Sequence, residues 1–192
     1  MTMKGFTLIE TLIAITILTL AVAGPLTTAS QALTAAQVSK GQLTASYLAQ
    51  EGIEYVRFMR DDEYLKFYPS GVGAGTAAWN EFLNGSAPAS ITSCRAGTCM
   101  LDPAAPSMCT GAAGNGCSLI PCSGGTCTPL YLANNIYTEQ SGISGAVVTP
   151  FKRTIQAFTV SATDERIVST VSWTFHNLPY SVIITDHLTP WE

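Results

Sequence analysis

The sequence predicts an α+β fold in which a long N-terminal helix precedes an antiparallel β-sheet. Three observations lead to this fold class. An apolar run, Phe6–Leu26, continues into a stretch of helix-favouring residues that ends near Arg60. Apolar and polar residues alternate between positions 151 and 187, as they do in strands with one buried face. Between these two regions lie six clustered cysteines, which predict a disulfide-rich loop insertion.

Composition restricts the classes of function. The 192 residues suit one modest domain with an appended element. Charged residues make up 11%, and a Ser-, Thr-, Gly- and Ala-rich body of low charge is common in exported proteins. The net charge is −4, and the nine basic residues are scattered, with local concentrations only at Lys152-Arg153 and at Arg57 and Arg60. We therefore expect no nucleic-acid ligand for the folded part.

The N-terminal run "KGFTLIETLIAITILTLAVAG" contains one acid, Glu10. Phe6–Leu26 has 21 residues, which at about 1.5 Å per residue can span a bilayer core of about 30 Å. An ionised acid in the middle of such a helix costs roughly 2.5–3.5 kcal/mol. A secretory signal peptide, with Lys4 as its basic end and Ala21-Val22-Ala23 as its cleavage site, and a plain membrane anchor both fit the apolar run. Neither of them accounts for Glu10.

The stretch "MKGFTLIETLIAITIL" resembles the leader and first helix of type IV prepilins and the related pseudopilins. In that family a basic leader ends in Gly, a dedicated peptidase cuts after it, and the new N-terminal residue is usually a methylated Phe. The resemblance implies cleavage between Gly5 and Phe6, and N-methylation of Phe6. It also implies that the Glu10 carboxylate meets the Phe6 amine of a neighbouring subunit, so that the two charges neutralise each other. A subunit packed out of register would leave both charges unpaired, which disfavours that packing.

Gly24 and Pro25 follow the acid and predict a helix kink, because proline removes a backbone hydrogen bond and clashes with the preceding turn. A simple kink of a membrane helix is one interpretation. The resemblance implies another, in which this region bends or unwinds as the filament assembles.

From Thr27 to about Arg60 the sequence favours a helix that packs one face on a globular domain and turns the other towards sibling helices. Its apolar positions at helical spacing are Val38, Ala45, Leu48, Val56 and Met59. A coiled-coil stalk is the alternative, which irregular heptads and the glycines at 41 and 52 disfavour. The segment "YLAQEGIEYVRFMRDDEYL" is similar to the helix end of minor pilins of the PilV type.

These observations predict four parts of the chain. They are a prepilin leader (1–5), the transmembrane and filament-core half of the helix (6–30), its amphipathic second half (31–62), and a globular head (63–192) with a Cys-rich loop (94–127) and C-terminal strands (151–187).

The cysteines predict disulfides more strongly than zinc, because membrane topology places the body outside the cytoplasm, where disulfides persist. They are Cys94, Cys99, Cys109, Cys117, Cys122 and Cys127. The repeated patterns "CRAGTC" and "CSGGTC" each contain a Gly turn that can bring two Cα atoms within the ~4.4–6.8 Å of a disulfide. Local closure of both loops would leave Cys109 with Cys117, although six cysteines allow about 15 connectivities.

The C-terminal region predicts three antiparallel strands in sequence order. In "RIVSTVSWTF", Ile167, Val171, Trp173 and Phe175 share one face. "FKRTIQAFTV" precedes this strand across "TDER", and "YSVIIT" follows it across "HNLP". The resemblance implies that this sheet packs against the second half of the long helix. We also expect a short helix at Ala77–Leu83, and Trp191 packed back on the fold.

The sequence contains no known catalytic pattern, so we predict no enzyme activity, no cofactor and no metal. Asp186 and His187 are adjacent in a predicted strand and therefore point to opposite faces. The acids at 61–63 suggest calcium only weakly, and a solvated helix end is the simpler interpretation.

The preferred function is a structural subunit, a minor pilin, of a type IV pilus-like filament. The resemblance implies other pilin subunits, a prepilin peptidase, an inner-membrane platform protein and an assembly ATPase as partners. The precursor would cross the inner membrane once with its N-terminus in the cytoplasm, and then enter an extracellular pilus. The alternatives are a pseudopilin of a type II secretion or DNA-uptake system and a secreted disulfide-rich binding domain.

Overall fold

The structure is a computed structural model that describes residues 7–85, 90–101, 118–124 and 126–190. The chain divides into two compact units, with the boundary between Gly41 and Gln42. The first unit is helical from Leu8 onwards, and the second contains the rest of the same helix, two short helices and two sheets. The α+β fold class predicted from the sequence is confirmed.

Helix α1 spans Leu8–Phe67 and continues through Gly24 and Pro25 without a break. It extends five residues beyond the boundary predicted at 62 and is followed by a 3₁₀ turn at Tyr68–Ser70. The extension has a local cause. Lys66 forms ion pairs with Asp62 and Glu63, which lie one turn earlier on the same helix surface.

The prediction that residues 61–63 form a solvated helix end is therefore wrong. Glu63 is buried, with 3% of its surface exposed, and its carboxylate accepts a hydrogen bond from Lys66. Asp62 also binds Lys66, and Asp61 binds Arg60. These acids are occupied by neighbouring cations within the helix.

Two short helices follow. Helix α2 spans Ala74–Asn84, which contains the short helix predicted at Ala77–Leu83 and adds one turn before it. Helix α3 spans Thr92–Ala96 and carries Cys94, the first cysteine of the Cys-rich loop.

The main sheet contains five strands in the order β2-β1-β6-β7-β8. Strands β1 and β2 are short pieces of the Cys-rich region, Cys99–Leu101 and Leu119–Pro121. The other three form the predicted meander: β6 (Lys152–Ser161), β7 (Asp164–Phe175) and β8 (Leu178–Leu188). All neighbours are antiparallel.

The connections of the meander are tighter than the sequence indicated. Strands β7 and β8 are joined by His176 and Asn177 alone, with φ angles of 47° and 65°. Positive φ at both central residues is the mark of a type I′ hairpin turn, whose twist matches that of the strands. Leu178 and Pro179, expected in the connection, already belong to β8.

A second, three-stranded sheet was not predicted. Its strands are β3 (Tyr131–Ala133), β4 (Ile136–Thr138) and β5 (Val147–Val148), in the order β4-β3-β5. Two or three residues are too few for an alternating pattern to be recognised in the sequence.

The second unit has its own hydrophobic core between α1 and the main sheet. One part joins Ile53, Val56 and Met59 of the helix to apolar residues of β6 and β7. A neighbouring part joins Leu48 to Val171 and to other residues of the C-terminal strands. The predicted packing of the sheet on the second half of the helix is therefore present.

Two disulfides close local loops. Cys94 pairs with Cys99 and Cys122 pairs with Cys127, at Cα separations of 5.3 and 4.6 Å. This is the local closure that the repeated pattern favoured. Cys109 and Cys117 lie outside the described residues, and their pairing stays a prediction.

Candidate assembly site

The N-terminal half of α1 exposes its apolar side chains in every direction. Every residue from Thr7 to Gln37 is exposed. The large apolar side chains with at least half of their surface exposed are Leu8, Ile9, Leu12, Ile13, Ile15, Ile17, Leu18, Leu20, Val22, Leu26 and Leu33. A helix that is apolar on all sides requires an apolar environment, either lipid or other helices.

Its length and composition meet the requirements of a membrane span. The chain has one such helix among the described residues, and its most apolar 18-residue window has a mean hydropathy of 2.0 with no buried residue. The core helix of a soluble protein can pass the same test, but such a helix would be buried. The absence of burial in this window argues against the core helix of a soluble protein and leaves two interpretations, a membrane span and an N-terminal signal sequence.

Polar side chains in this segment satisfy their hydrogen bonds within the helix. The hydroxyls of Thr11, Thr16 and Thr19 donate to the backbone carbonyls of the residues three positions earlier, at 2.8–2.9 Å. A hydroxyl bonded in this way can enter a water-free environment at little cost. The threonines therefore do not prevent burial of the segment.

Glu10 is the exception. It is the only charged residue in the sequence between Gly5 and Ser39. Its side chain lies in the first turn of α1, where the helix dipole favours a negative charge. Within the residues that the structure describes, its carboxylate has no ion-pair partner. The site is therefore a single acid on an apolar helix.

Gly24 and Pro25 lie inside α1. Pro25 has no backbone N–H to donate, so one hydrogen bond of the helix is missing at this point. The hydroxyls of Thr27 and Thr28 donate to the carbonyls of Gly24 and Pro25, at 2.8 and 3.0 Å. The helix stays continuous here in the isolated subunit, and a bend that develops during assembly stays a prediction.

The remaining candidate groups are used in structural contacts. Asp186 binds Arg57 at 2.9 Å, and its hydrogen bond raises the pKa of that guanidinium. His187 instead lies 2.9 Å from Asp164, so the adjacent acid and histidine do not act on each other. Among residues 7–85, 90–101, 118–124 and 126–190, no three metal-binding side chains come together. No cysteine of those ranges is free to bind zinc.

The sequence analysis missed a buried ion pair in the head. Arg153, with 1% of its side chain exposed, donates to Glu139, to Glu51 on α1 and to the Leu48 carbonyl. Burial raises the pKa of Glu139, and the Arg153 charge partly counteracts this increase. The basic concentration at Lys152-Arg153 is therefore not a surface feature, because Arg153 lies in the protein interior.

A second pair of this kind joins α3 to β7. Arg95 donates two hydrogen bonds to the fully buried carboxylate of Glu165, both at 2.8 Å, and these bonds raise the pKa of Arg95. Both pairs connect distant parts of the sequence, so no local pattern could have indicated them. They stabilise the head and lie in the second unit of the chain, whereas Glu10 lies in the first.

The N-terminal segment that carries Glu10 is similar to a known family of proteins. Residues 1–24 match the family model described as the prokaryotic N-terminal methylation motif. The match supports a prepilin-type family for this chain. The match covers the first 24 of 192 residues and includes Glu10. No curated protein and no solved structure matches the chain.

The prepilin-type motif includes the predicted processing residues. Gly5 and Phe6 fall within the matched range but outside the described residues, so their cleavage and methylation stay predictions. The motif together with the apolar α1 fits a membrane-anchored precursor that assembles with other pilin-like subunits. The motif suggests a structural protein, and the absence of enzyme activity stays a prediction.

Proposed function

We propose that this prepilin-type chain is a structural subunit, a minor pilin, of a type IV pilus-like filament. The observation that carries the proposal is Glu10, a single acid within a methylation motif, on the N-terminal half of α1, where every residue up to Gln37 is exposed. A soluble protein would bury such an apolar surface. A simple membrane anchor would gain nothing from Glu10, because an ionised acid is costly inside the bilayer. A filament core of packed helices accommodates both features.

The four predicted parts are proposed as functional units. The leader, residues 1–5, is removed by the prepilin peptidase, and Phe6 becomes the methylated N-terminus. Residues 6–30 lie first in the membrane and then in the filament core. Residues 31–62 connect this core to the head, and the structure extends their helix to Phe67. Residues 63–192 form the surface that the filament displays.

Assembly depends on a charge pair between subunits. In the filament core, the Glu10 carboxylate accepts hydrogen bonds from the Phe6 amine of the adjacent subunit. Each charge alone is costly in an apolar environment, and together they neutralise each other at short range. The pair therefore fixes the axial register, since a slipped subunit would leave both charges unpaired.

The proposed partners and location follow from this mechanism. Lys4 keeps the short N-terminal flank in the cytoplasm and the head is exported. Two disulfides in the head agree with an oxidising compartment. A platform protein in the inner membrane and a cytoplasmic ATPase would extract the processed subunit from the membrane into an extracellular filament.

A pseudopilin of a secretion or DNA-uptake system has the same methylation motif and the same helix. The location of the protein distinguishes the two functions. A pilin is recovered from sheared surface filaments, and a pseudopilin stays in the cell envelope.

The experiment that tests the proposal replaces Glu10 by Gln, which keeps the size of the side chain and removes its charge. Losing one member of a buried pair costs roughly 3–5 kcal/mol, so we expect the processed variant to accumulate in the membrane and to be depleted from sheared filaments. Membrane insertion should survive, because Gln is less costly in a bilayer than an ionised acid. Quantitative immunoblots of the membrane and filament fractions measure both pools.

Thr11→Ala is the matched control, one residue away on the same exposed surface of the helix. Its hydroxyl bonds only to the Leu8 carbonyl, so the variant should assemble at the wild-type level. If processed Glu10→Gln also enters filaments at the wild-type level, the charge-pair mechanism is wrong.

A further inference from the structure

Strand β8 forms one edge of the main sheet. It has 11 residues, Leu178–Leu188, and among the described strands it pairs with β7 alone. The other edge of this sheet is β2, which has three residues and ends at Pro121. Proteins limit unwanted pairing at sheet edges with short strands, prolines or charges. The edge at β2 is short and ends in a proline, whereas the edge at β8 is long.

The register of the β7–β8 hairpin determines which N–H groups of β8 point away from the sheet. Phe175 and Leu178 flank the two-residue turn and lie opposite each other. Residues in this position form a hydrogen-bonded pair, and such pairs alternate with non-hydrogen-bonded pairs along an antiparallel ladder. The residues whose N–H groups point away from β7 are therefore Ser181, Ile183, Thr185 and His187. All four residues are exposed.

The side chains at the alternate positions of β8 face the core but are incompletely covered. Val182 and Ile184 pack against the hydrophobic core and are half-buried. Tyr180 is also half-buried and stacks on Trp173, with the ring centroids 5.5 Å apart. A further strand beside β8 would cover these side chains and pair with the outward N–H groups. The edge therefore has the features of a site for strand addition.

The edge carries little net charge. Asp186 is the one acidic residue of β8, and Arg57 donates a hydrogen bond to it at 2.9 Å. His187 lies 2.9 Å from the Asp164 carboxylate. A strongly charged partner strand would find no unpaired counter-charge here, whereas an uncharged strand like β8 itself would not be repelled.

We propose that the β8 edge binds the β8 edge of a second copy of this chain. The two strands run antiparallel across a two-fold axis at Ile183. Residues with outward N–H groups then lie opposite each other, as an antiparallel ladder requires. The neighbouring pairs are Val182 with the partner's Ile184, Ser181 with the partner's Thr185, and Tyr180 with the partner's Asp186. None of these pairs places two like charges opposite each other.

A two-fold pair closes both open edges at once, because the same surface of each copy is used. Successive subunits of a filament repeat head to tail instead, so this contact is separate from the proposed assembly through Glu10. It uses the head alone and applies to a pilin or a pseudopilin. It does not involve Trp191, whose predicted packing on the fold lies outside the described residues.

The first test measures amide hydrogen exchange by NMR on the full chain in detergent, over a series of dilutions with the same detergent solution. We expect the amides of Ser181, Ile183 and Thr185 to become protected as the protein concentration rises. The amides of Val182 and Ile184 donate to β7 and should be protected at every concentration, which verifies the fold. Outward amides that exchange freely at every concentration would overturn the proposal. Equal protection at every concentration would also overturn it, since the chain would then cover its own edge.

The second test uses the two-fold axis, at which residue 183 of one copy faces residue 183 of the other. Ile183→Lys alone and Ile183→Glu alone each place two like charges opposite each other. We expect the protein concentration needed for half-maximal protection to rise by up to about five-fold in each variant. An equal mixture of the two variants, with one of them isotope-labelled, should restore protection because a lysine then faces a glutamate.

Val148→Lys and Val148→Glu are the matched controls. Val148 is 60% exposed and Ile183 is 62% exposed, but Val148 lies on β5 of the other sheet. These variants should leave the concentration dependence unchanged, alone and mixed. Wild-type pairing by both Ile183 variants would overturn the proposal, and so would a mixture that pairs no better than either variant alone.

Discussion

The two halves of α1 have opposite relationships to their surroundings. From Thr7 to Gln37 every residue is exposed, whereas between Ala45 and Glu63 eight residues are buried at helical spacing against the head. The second half therefore derives its stability from contacts that the subunit makes by itself. The first half exposes its apolar side chains, and lipid or other subunits must cover them.

The charges differ in the same way. In the head, Arg153 and Glu165 are buried with their counter-charges within the same chain. In the N-terminal half, Glu10 lies on an apolar surface without an ion pair among the described residues. A buried charge that pairs with an opposite charge of the same subunit stabilises the fold. A charge without such a pair can select the partner subunit that supplies the opposite charge.

The largest effect on the head is expected from Arg153→Met. It leaves the buried Glu139 without its cation, and we expect a loss of roughly 3–5 kcal/mol in the free energy of unfolding at pH 7. The change is measured by urea unfolding of the full chain in detergent, followed by tryptophan fluorescence. Lys152→Met, at the adjacent and outward-facing position of β6, should change this free energy by less than about 0.5 kcal/mol.

The pH dependence of this variant has a definite sign. Without Arg153, the main influence that lowers the pKa of Glu139 is lost, and burial raises its folded-state pKa further above the unfolded value. The folded state then binds the proton more tightly, so its stability falls as the pH rises from the ordinary carboxyl range towards neutrality. The deficit relative to wild type should therefore be smaller at pH 5 than at pH 7, and a deficit that grows on acidification would exclude this cause.

The next effect compares two glycines of the same helix. A Cβ at Gly52 would lie 2.6 Å from Ser169 Oγ and 2.9 Å from Ile155 Cδ1, so Gly52→Ala should destabilise the head by about 1–3 kcal/mol. A Cβ at Gly24 meets nothing within 4 Å, and Gly24→Ala should leave head unfolding unchanged. Urea unfolding of both variants measures the difference, and a Gly52→Ala variant as stable as wild type would show that the helix does not need this close approach.

The smallest effect concerns Ser169. Its buried hydroxyl has no hydrogen-bond partner in the described part of the chain, so Ser169→Ala should leave the free energy of unfolding unchanged or raise it by up to about 1 kcal/mol. The same change should reduce the cost of Gly52→Ala, since it removes the nearest clashing atom. A double-mutant cycle with the same unfolding assay measures this coupling. Strict additivity would contradict the predicted contact.

The sequence predicted the parts of this fold that depend on local patterns. The alternation in β7 places Ile167, Val171 and Trp173 on the buried face, as predicted. The same face also contains Glu165 and Ser169. The alternating pattern places both residues on the buried face, but their polar side chains would suggest that they are exposed. Their burial depends on Arg95 and Gly52, which are distant in sequence.

The interior position of Arg153 could not be predicted for a similar reason. Its partner Glu139 lies 14 residues away, directly after the short strand β4, and Glu51 lies 102 residues away. Neither separation produces a local signal. The N-terminal site differs because six consecutive residues, Gly5–Glu10, carry both the processing pattern and the acid, so the local sequence is sufficient to recognise it.

The central claim is that the exposed half of α1 is kept in the mature protein and is used for assembly. The intact mass of the protein purified from membranes or filaments tests this claim most directly. We predict a mature chain that begins at Phe6, has lost Met1–Gly5 and carries one methyl group. A mature chain that begins at Gly24 would show that the apolar segment is a discarded signal peptide, and it would contradict the claim.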